Sequence, residues 1–292
     1  MSHIVWLASY PKSGNTWLRM FLAHLLAEEG APAPDLNGLS RTLHDGLGIA
    51  SSRTVFDEEA GISASDLLPD EIDLLRPRVY EAWAARCERT AFVKVHDAFL
   101  ATAAGEPLLS PAATCATIYI VRNPLDVAVS YAFHSAKSFD TMIDEMADAD
   151  FVTASSVTRL HSQLRQRLSS WSGHVASWID ASGMNCHMMR YEDMVQLPLE
   201  TFSAMVRFLD LPCDEPRVLQ ALDGACFEKL RAQEEDIGFA ERPHRAQRFF
   251  REGRVGDWRN HLNHAQASRI VAGHRDMMRR LGYLDADGSA IY

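Results

Sequence analysis

Lys12, Ser13, Gly14, Asn15 and Thr16 stand together in the run YPKSGNTWLR (residues 10–19), directly after the apolar stretch Ile4-Val5-Trp6-Leu7-Ala8. Leu18, Phe21, Leu22, Leu25 and Leu26 then recur at helical spacing, so the chain reads as a strand, a tight loop and the start of a helix. Such a junction binds anions, because the first N–H groups of a helix have no intrahelical partner and the dipole favours negative charge. Backbone N–H groups near Ser13, Gly14 and Asn15 would face the anion, while Lys12 and Thr16 supply an ammonium and a hydroxyl. The lysine precedes the glycine, unlike in G-x-x-x-x-G-K-[ST]. A phosphate is therefore expected here, but ATP is not the first candidate.

Positioning these groups requires a sheet. Further buried-strand patterns lie at 90–95 (TAFVKV), 117–121 (TIYIV) and, more weakly, 185–190 (NCHMMR), with helical patterns between them. The alternation predicts a single α/β domain over residues 1–292: a central parallel sheet flanked by helices, with a P-loop-like nucleotide-binding core. After Val121, Asn123 can cap a helix from about 124 to 136, with Pro124 in its first turn and Asp126 meeting its dipole. Leu160, Leu164, Leu168, Trp171, Val175 and Trp178 keep helical spacing and predict one long helix. Another helix is expected near Pro198, with Phe202, Met205, Val206 and Leu209 facing inward. The stretches 31–77 and 138–156 read as insertions over the sheet, either lids on an acceptor site or plain surface loops.

The 292 residues carry 29 basic and 39 acidic side chains, a formal charge of -10, which argues against nucleic acid as a bulk partner. A polyanionic ligand must then meet a local basic cluster. Five cysteines (Cys87, Cys115, Cys186, Cys213, Cys226) lack C-x-x-C spacing and suit reduced thiols; with no secretory pattern and no apolar run of about 18 residues, a cytoplasmic protein without membrane association is expected.

The segments YPKSGNTW (10–17), RNPLDVAVS (122–130), YEDM (191–194) and REGRVGDWRNH (251–261) resemble, in order, the signatures of cytosolic-type sulfotransferases that use 3′-phosphoadenylyl sulfate (PAPS). The resemblance implies that Lys12, Ser13, Gly14, Asn15 and Thr16 contact the 5′-phosphate, and that Lys12 also stabilises charge on the leaving oxygen. Trp17 resembles the adenine-stacking tryptophan, with a core tryptophan as the rival reading. Arg122 and Ser130, eight positions apart, match the 3′-phosphate site, and Arg251 and Gly253 match a later phosphate loop. Glu252 departs from the family pattern, standing where a second basic residue is usual. Tyr191 and Phe227 resemble adenine-pocket positions and are also readable as core, since Ala225-Cys226 replaces the Thr-Ser often found before that phenylalanine.

Lys94-Val95-His96 resembles the family's K-x-H. Alternation puts Lys94 and His96 on one side at the carboxyl end of a parallel strand, where α/β proteins bind ligands. His96 is the expected general base, since imidazole titrates near neutrality without tuning. Lys94 would stabilise the sulfuryl oxygens, and Asp97 either orients His96 or caps a turn. The implied reaction is in-line transfer of a sulfuryl group from PAPS to a hydroxyl, in preference to an amine, of a small-molecule alcohol or phenol, releasing adenosine 3′,5′-bisphosphate (PAP) and needing no metal. A P-loop nucleotide kinase and a non-catalytic nucleotide-binding protein are the alternative classes.

Overall fold

The N-terminal apolar run becomes the central strand because both of its faces are covered. In the computed structural model, which describes residues 4–40, 47–156, 158, 160–180, 185–211 and 214–291, β1 (Ile4–Ser9) is wholly buried. Five parallel strands are ordered β2 (Leu47–Ile49), β3 (Ala91–Val95), β1, β4 (Thr114–Val121) and β7 (Cys186–Arg190). Ile4, Trp6 and Ala8 of β1 enter one core layer and Val5 and Leu7 the other, as a period of two requires. The first layer is completed by α2 (Arg53–Ala60), α3 (Pro69–Arg86), α4 (Pro124–Ser135), α5 (Phe139–Ala147), α6 (Trp171–Ile179) and α11 (His264–Arg280). The second is built chiefly by α1 (Asn15–Leu26), α8 (Pro198–Phe208), α9 (Glu215–Gly224) and α10 (Phe227–Ile237). The short α7 (Tyr191–Gln196) follows β7 directly.

After β1 the chain builds outward to β2 and β3 on one side, then crosses to β4 on the other. The strand order thus reverses beside β1, and an open sheet leaves a crevice at the carboxyl ends of its strands at that point. Ser9, His96 and Arg122 are placed there by the ends of β1, β3 and β4.

Two sequence expectations need correction. The long helix over 160–178 is absent. Only Trp171–Ile179 is helical, capped by the Ser170 hydroxyl, and β6 (Gln166–Arg167) pairs antiparallel with β5 (Val152–Thr153). Leu160, Leu164 and Leu168 are four residues apart, a spacing that satisfies a strand period of two as well as a helix turn; Leu164 and Leu168 are buried from extended chain, and Leu160 is 69% exposed. Ser169 adopts φ 60, which ends the extended run. The segment 31–77 is also more than surface loop: it supplies β2, α2 and the first half of α3. Gly48 in β2 permits the approach of Trp83, since a Cβ there would lie 2.4 Å from that ring.

Four cysteines (Cys87, Cys115, Cys186, Cys226) are free thiols; Cys213 lies outside the described residues. Among the described residues no helix is long and apolar enough to cross a membrane.

Candidate active site

A cavity of about 1250 Å³ opens at the carboxyl edge of the sheet and is lined by Lys12, Gly14, Asn15, Thr16, Trp17, Lys94, His96, Arg122, Ser130, Tyr191, Phe227, Arg251 and Gly253. Of the residues expected at the site, Ser13 alone does not line it; its Oγ is buried beside the loop without a partner.

The loop after β1 is held open by backbone geometry. Lys12 adopts φ 69, and Gly14 has φ 110 with Tyr191 Cδ2 2.8 Å from where a Cβ would stand. No side chain caps α1, whereas Asn123 caps α4 by accepting from Leu125 N at 3.0 Å. The Asn15 amide is diverted into structure: its Nδ2 donates to Leu7 O at 2.7 Å and to Ser9 Oγ at 3.2 Å. Asn15 can therefore offer an anion its backbone N–H, not this amide.

Lys12 Nζ lies 3.7 Å from the Phe249 ring centroid and 3.4 Å from His134 Nδ1. Burial first, then the charges of Lys94 and Arg122, lower its ammonium to about 7. Glu234 and Glu241 oppose this more weakly, and a desolvated ammonium beside two further cations would be stabilised by an added anion.

His96 donates from Nδ1 to Ser9 O at 2.7 Å, with Ser9 Oγ at 3.3 Å. A carbonyl only accepts, so the proton sits on Nδ1 and Nε2 carries the lone pair. Burial, followed by the neighbouring Lys94, holds this imidazole well below its ordinary value. It is therefore neutral at pH 7, the protonation state that proton abstraction needs. Asp97 takes neither expected role: it pairs with buried Arg76 at 2.6 and 3.1 Å and accepts from Arg167 N at 2.9 Å, anchoring the turn behind His96.

Lys94 is engaged. Its Nζ lies 2.7 Å from Glu241 Oε2, and Glu241 Oε1 lies 2.6 Å from Arg19 Nη1. Burial pushes the Glu241 carboxyl up, and the two cations overturn this and hold it well below the usual carboxylate range.

Arg122, 8% exposed, donates to Lys12 O at 3.1 Å and to Arg254 O at 3.0 Å and lies 4.2 Å over the Tyr191 ring. It thereby ties the first loop to the later one, leaving its Nε buried and unpartnered. Asp126 accepts from Gly256 N at 2.7 Å and Trp258 N at 2.9 Å, fixing the G-D-W turn to α4. Arg251 is bound to Asp257 and lies 3.2 Å from His261 Nε2. Gly253 (φ 65) supports Phe227, whose ring would be 2.5 Å from a Cβ there. Beside Glu252, Arg254 Nε stands 3.8 Å away and returns a cation to this loop. Trp17 packs edge-on to Tyr191 at 6.2 Å, with its Nε1 buried and unpartnered.

His134, Glu241, Phe249 and Arg254 were not singled out from sequence. His134 had a signal: Asp126, Ser130 and His134 follow one another at i+4 and all line the cavity. Glu241 and Phe249 had none, since 239–250 is irregular chain brought in by tertiary contacts. Thr153 and Ala154 line the cavity from the second insertion, whereas none of the described residues of 31–77 does.

The sulfotransferase domain profile matches residues 3–282. The chain belongs to the sulfotransferase family. Sulfotransferase 2B1 of Rattus norvegicus is 27% identical over 178 residues, 59% of this chain and 50% of that protein. Flavonol 3-sulfotransferase of Flaveria bidentis is 25% identical over 283 residues, 91% of this chain and 78% of that protein. For the rat protein and sulfotransferase 1B1 of Mus musculus, this sulfotransferase chain spans about half of the relative's length (50% and 54%). A mouse sulfotransferase, SULT7A1, solved in complex with PAP, superposes with a TM-score of 0.60 at 18% identity, covering 98% of this chain and 86% of that one. That likeness concerns the fold.

Proposed function

We propose that this sulfotransferase transfers a sulfuryl group from PAPS to the hydroxyl of a small-molecule alcohol or phenol, with His96 as general base. The observation that carries this reading is that one cavity gathers Lys12, at the uncapped N-terminus of α1, and His96, with its Nε2 lone pair unengaged. The cradle suits a nucleotide bisphosphate: buried Ser13 Oγ and Arg122 Nε lack partners, and Gly14 leaves room against Tyr191. Arg122, Ser130, Arg251 and the Gly253 backbone would hold the 3′-phosphate; Ser13 to Thr16 would hold the 5′-phosphate; Trp17, Tyr191 and Phe227 would enclose the base.

When bound, PAPS supplies the sulfuryl group. Lys12 places an ammonium where negative charge grows on the leaving oxygen, and such a contact is stronger in the transition state than in the ground state. His96 Nε2 takes the acceptor's proton as its oxygen attacks, and the Nδ1 bond to Ser9 O fixes the ring orientation for this. Lys94, held by Glu241, contributes fixed positive charge beside the reacting group.

Incubation with radiolabelled PAPS and pooled alcohols and phenols should yield a labelled product. Calorimetry should show PAP binding more tightly than AMP by roughly ten- to hundredfold for each charge-assisted 3′-phosphate contact. Equal affinity for the two nucleotides would overturn the assignment.

A further inference from the structure

Lys12 is the cation on which the proposed chemistry depends, yet a lysine side chain is flexible and its four-carbon stem does not by itself fix the ammonium. Two groups meet it. The Phe249 ring lies 3.7 Å from Nζ, and His134 Nδ1 lies 3.4 Å from it. These two rings pack edge to face at 5.6 Å, so they close one side of the ammonium together.

His134 occupies the last turn of α4, one turn beyond Ser130, and lines the same cavity. An ammonium only donates, so at His134 the Nδ1 lone pair accepts and the ring proton resides on Nε2. This is the opposite tautomer to His96, whose Nδ1 donates to Ser9 O. The charged and titratable groups acting on His134 come from three other elements: Lys12 after β1, Lys94 and His96 at the end of β3, and Glu241 after α10. Burial and the three basic neighbours keep His134 neutral throughout the physiological range, so its lone pair stays available to Lys12.

We infer that His134 is a positioning residue for this sulfotransferase: its Nδ1 holds the Lys12 ammonium against Phe249, aimed at the leaving oxygen. The inference rests on the reading of Lys12 given above. It assigns a function to the polar end of α4 that the sequence motif ending at Ser130 does not include.

The variants His134→Phe, which removes both nitrogens, and His134→Asn, whose amide oxygen can replace the Nδ1 lone pair, separate this role from packing. Turnover with PAPS should fall about 10- to 100-fold in His134→Phe, as for a lost charge-assisted contact, with the PAP dissociation constant within about threefold of wild type. His134→Asn should recover to within about threefold of wild type. Adding His134→Phe to Lys12→Ala should cost less than about threefold more, because the two residues act through one contact. Full activity in His134→Phe, failure of Asn to rescue, or additive losses would each overturn the proposal.

A readout independent of turnover distinguishes this failure from failure of the sulfotransferase reading. At pH 6, the imidazole ¹⁵N signals lost in His134→Phe should show an unprotonated, hydrogen-bonded Nδ1 whose shift changes in Lys12→Ala. An Nδ1–H tautomer, or a signal indifferent to Lys12→Ala, would refute the inference whether or not an acceptor is found. Absence of any PAPS-dependent turnover in the wild type would instead count against the proposed function.

Discussion

The Lys94 ammonium lies 2.7 Å from Glu241, a carboxylate that follows it by 147 positions and is itself clamped by Arg19 at 2.6 Å. The three side chains form a buried cation–anion–cation bridge between β3, α1 and the irregular chain after α10. Removing one member of such a cluster leaves uncompensated charge in a poorly solvated place.

Glu241→Gln should therefore destabilise the fold by about 3–5 kcal/mol. It should also move the acidic limb of the pH–rate profile to lower pH. Glu241 raises the His96 affinity for a proton and Lys94 lowers it, so without the carboxylate the lysine acts unopposed and the base stays neutral further into acid. Denaturant melts and a pH–rate profile check both outcomes; an upward movement of the limb would contradict the assignment of that limb to His96.

His96→Asn should leave PAP affinity and Tm nearly intact while the chemical step falls by about 10²–10⁴. The rate ratio of wild type to variant should shrink for phenols already ionised at the assay pH, since these need the base less. A ratio independent of acceptor pKa, with chemistry rate-limiting, would mean that His96 positions substrate without taking its proton.

PAP binding should take up protons near neutral pH. Lys12 is lowered to about 7 in the free protein, and bound phosphates favour the ammonium, so its pKa rises on binding and affinity falls as pH increases above about 7. Calorimetry in buffers of different ionisation enthalpy measures the uptake directly. Lys12→Ala should abolish it.

Turnover should survive EDTA. In the proposed mechanism the positive charge required at the leaving group comes from Lys12 and the N-terminus of α1, which makes a divalent ion redundant. Loss of activity in chelator that Mg²⁺ restores would point to a kinase-like arrangement.

Stability should fall as pH drops below about 6. His96, His134 and His174 are all lowered, first by burial. In the unfolded chain each takes up a proton near pH 6.5 that the native state refuses until lower pH, so stability is full above that value and lost beneath it. Each contributes about 1.4 kcal/mol per pH unit between the unfolded and folded values. His274 is lowered by burial as well and adds to the slope; urea midpoints at about pH 7.5 and 5.5 should show it, and His134→Phe should reduce it without abolishing it.

The sequence by itself determined the strand–loop–helix junction at residues 12–16, four of the five strands in the sheet, and the placement of Lys94, His96 and Arg122 at strand ends. These are local properties: a buried parallel strand needs an unbroken apolar run, and a loop between strand and helix needs its glycine. Two kinds of feature escaped it. The spacing of Leu160, Leu164 and Leu168 fits both a helix and a strand, and only the pairing of β5 with β6 and the φ of Ser169 decide between them. The three-residue β2 is too short to carry a period at all. Most of what tunes the site also lay beyond sequence. That His96 bonds to Ser9 O, that Lys94 meets Glu241, and that Phe249 and His134 enclose Lys12 follow from contacts across 87 to 237 positions of chain. Charge and hydrogen bonding act through space, and no spacing along the chain encodes a distance that only folding sets.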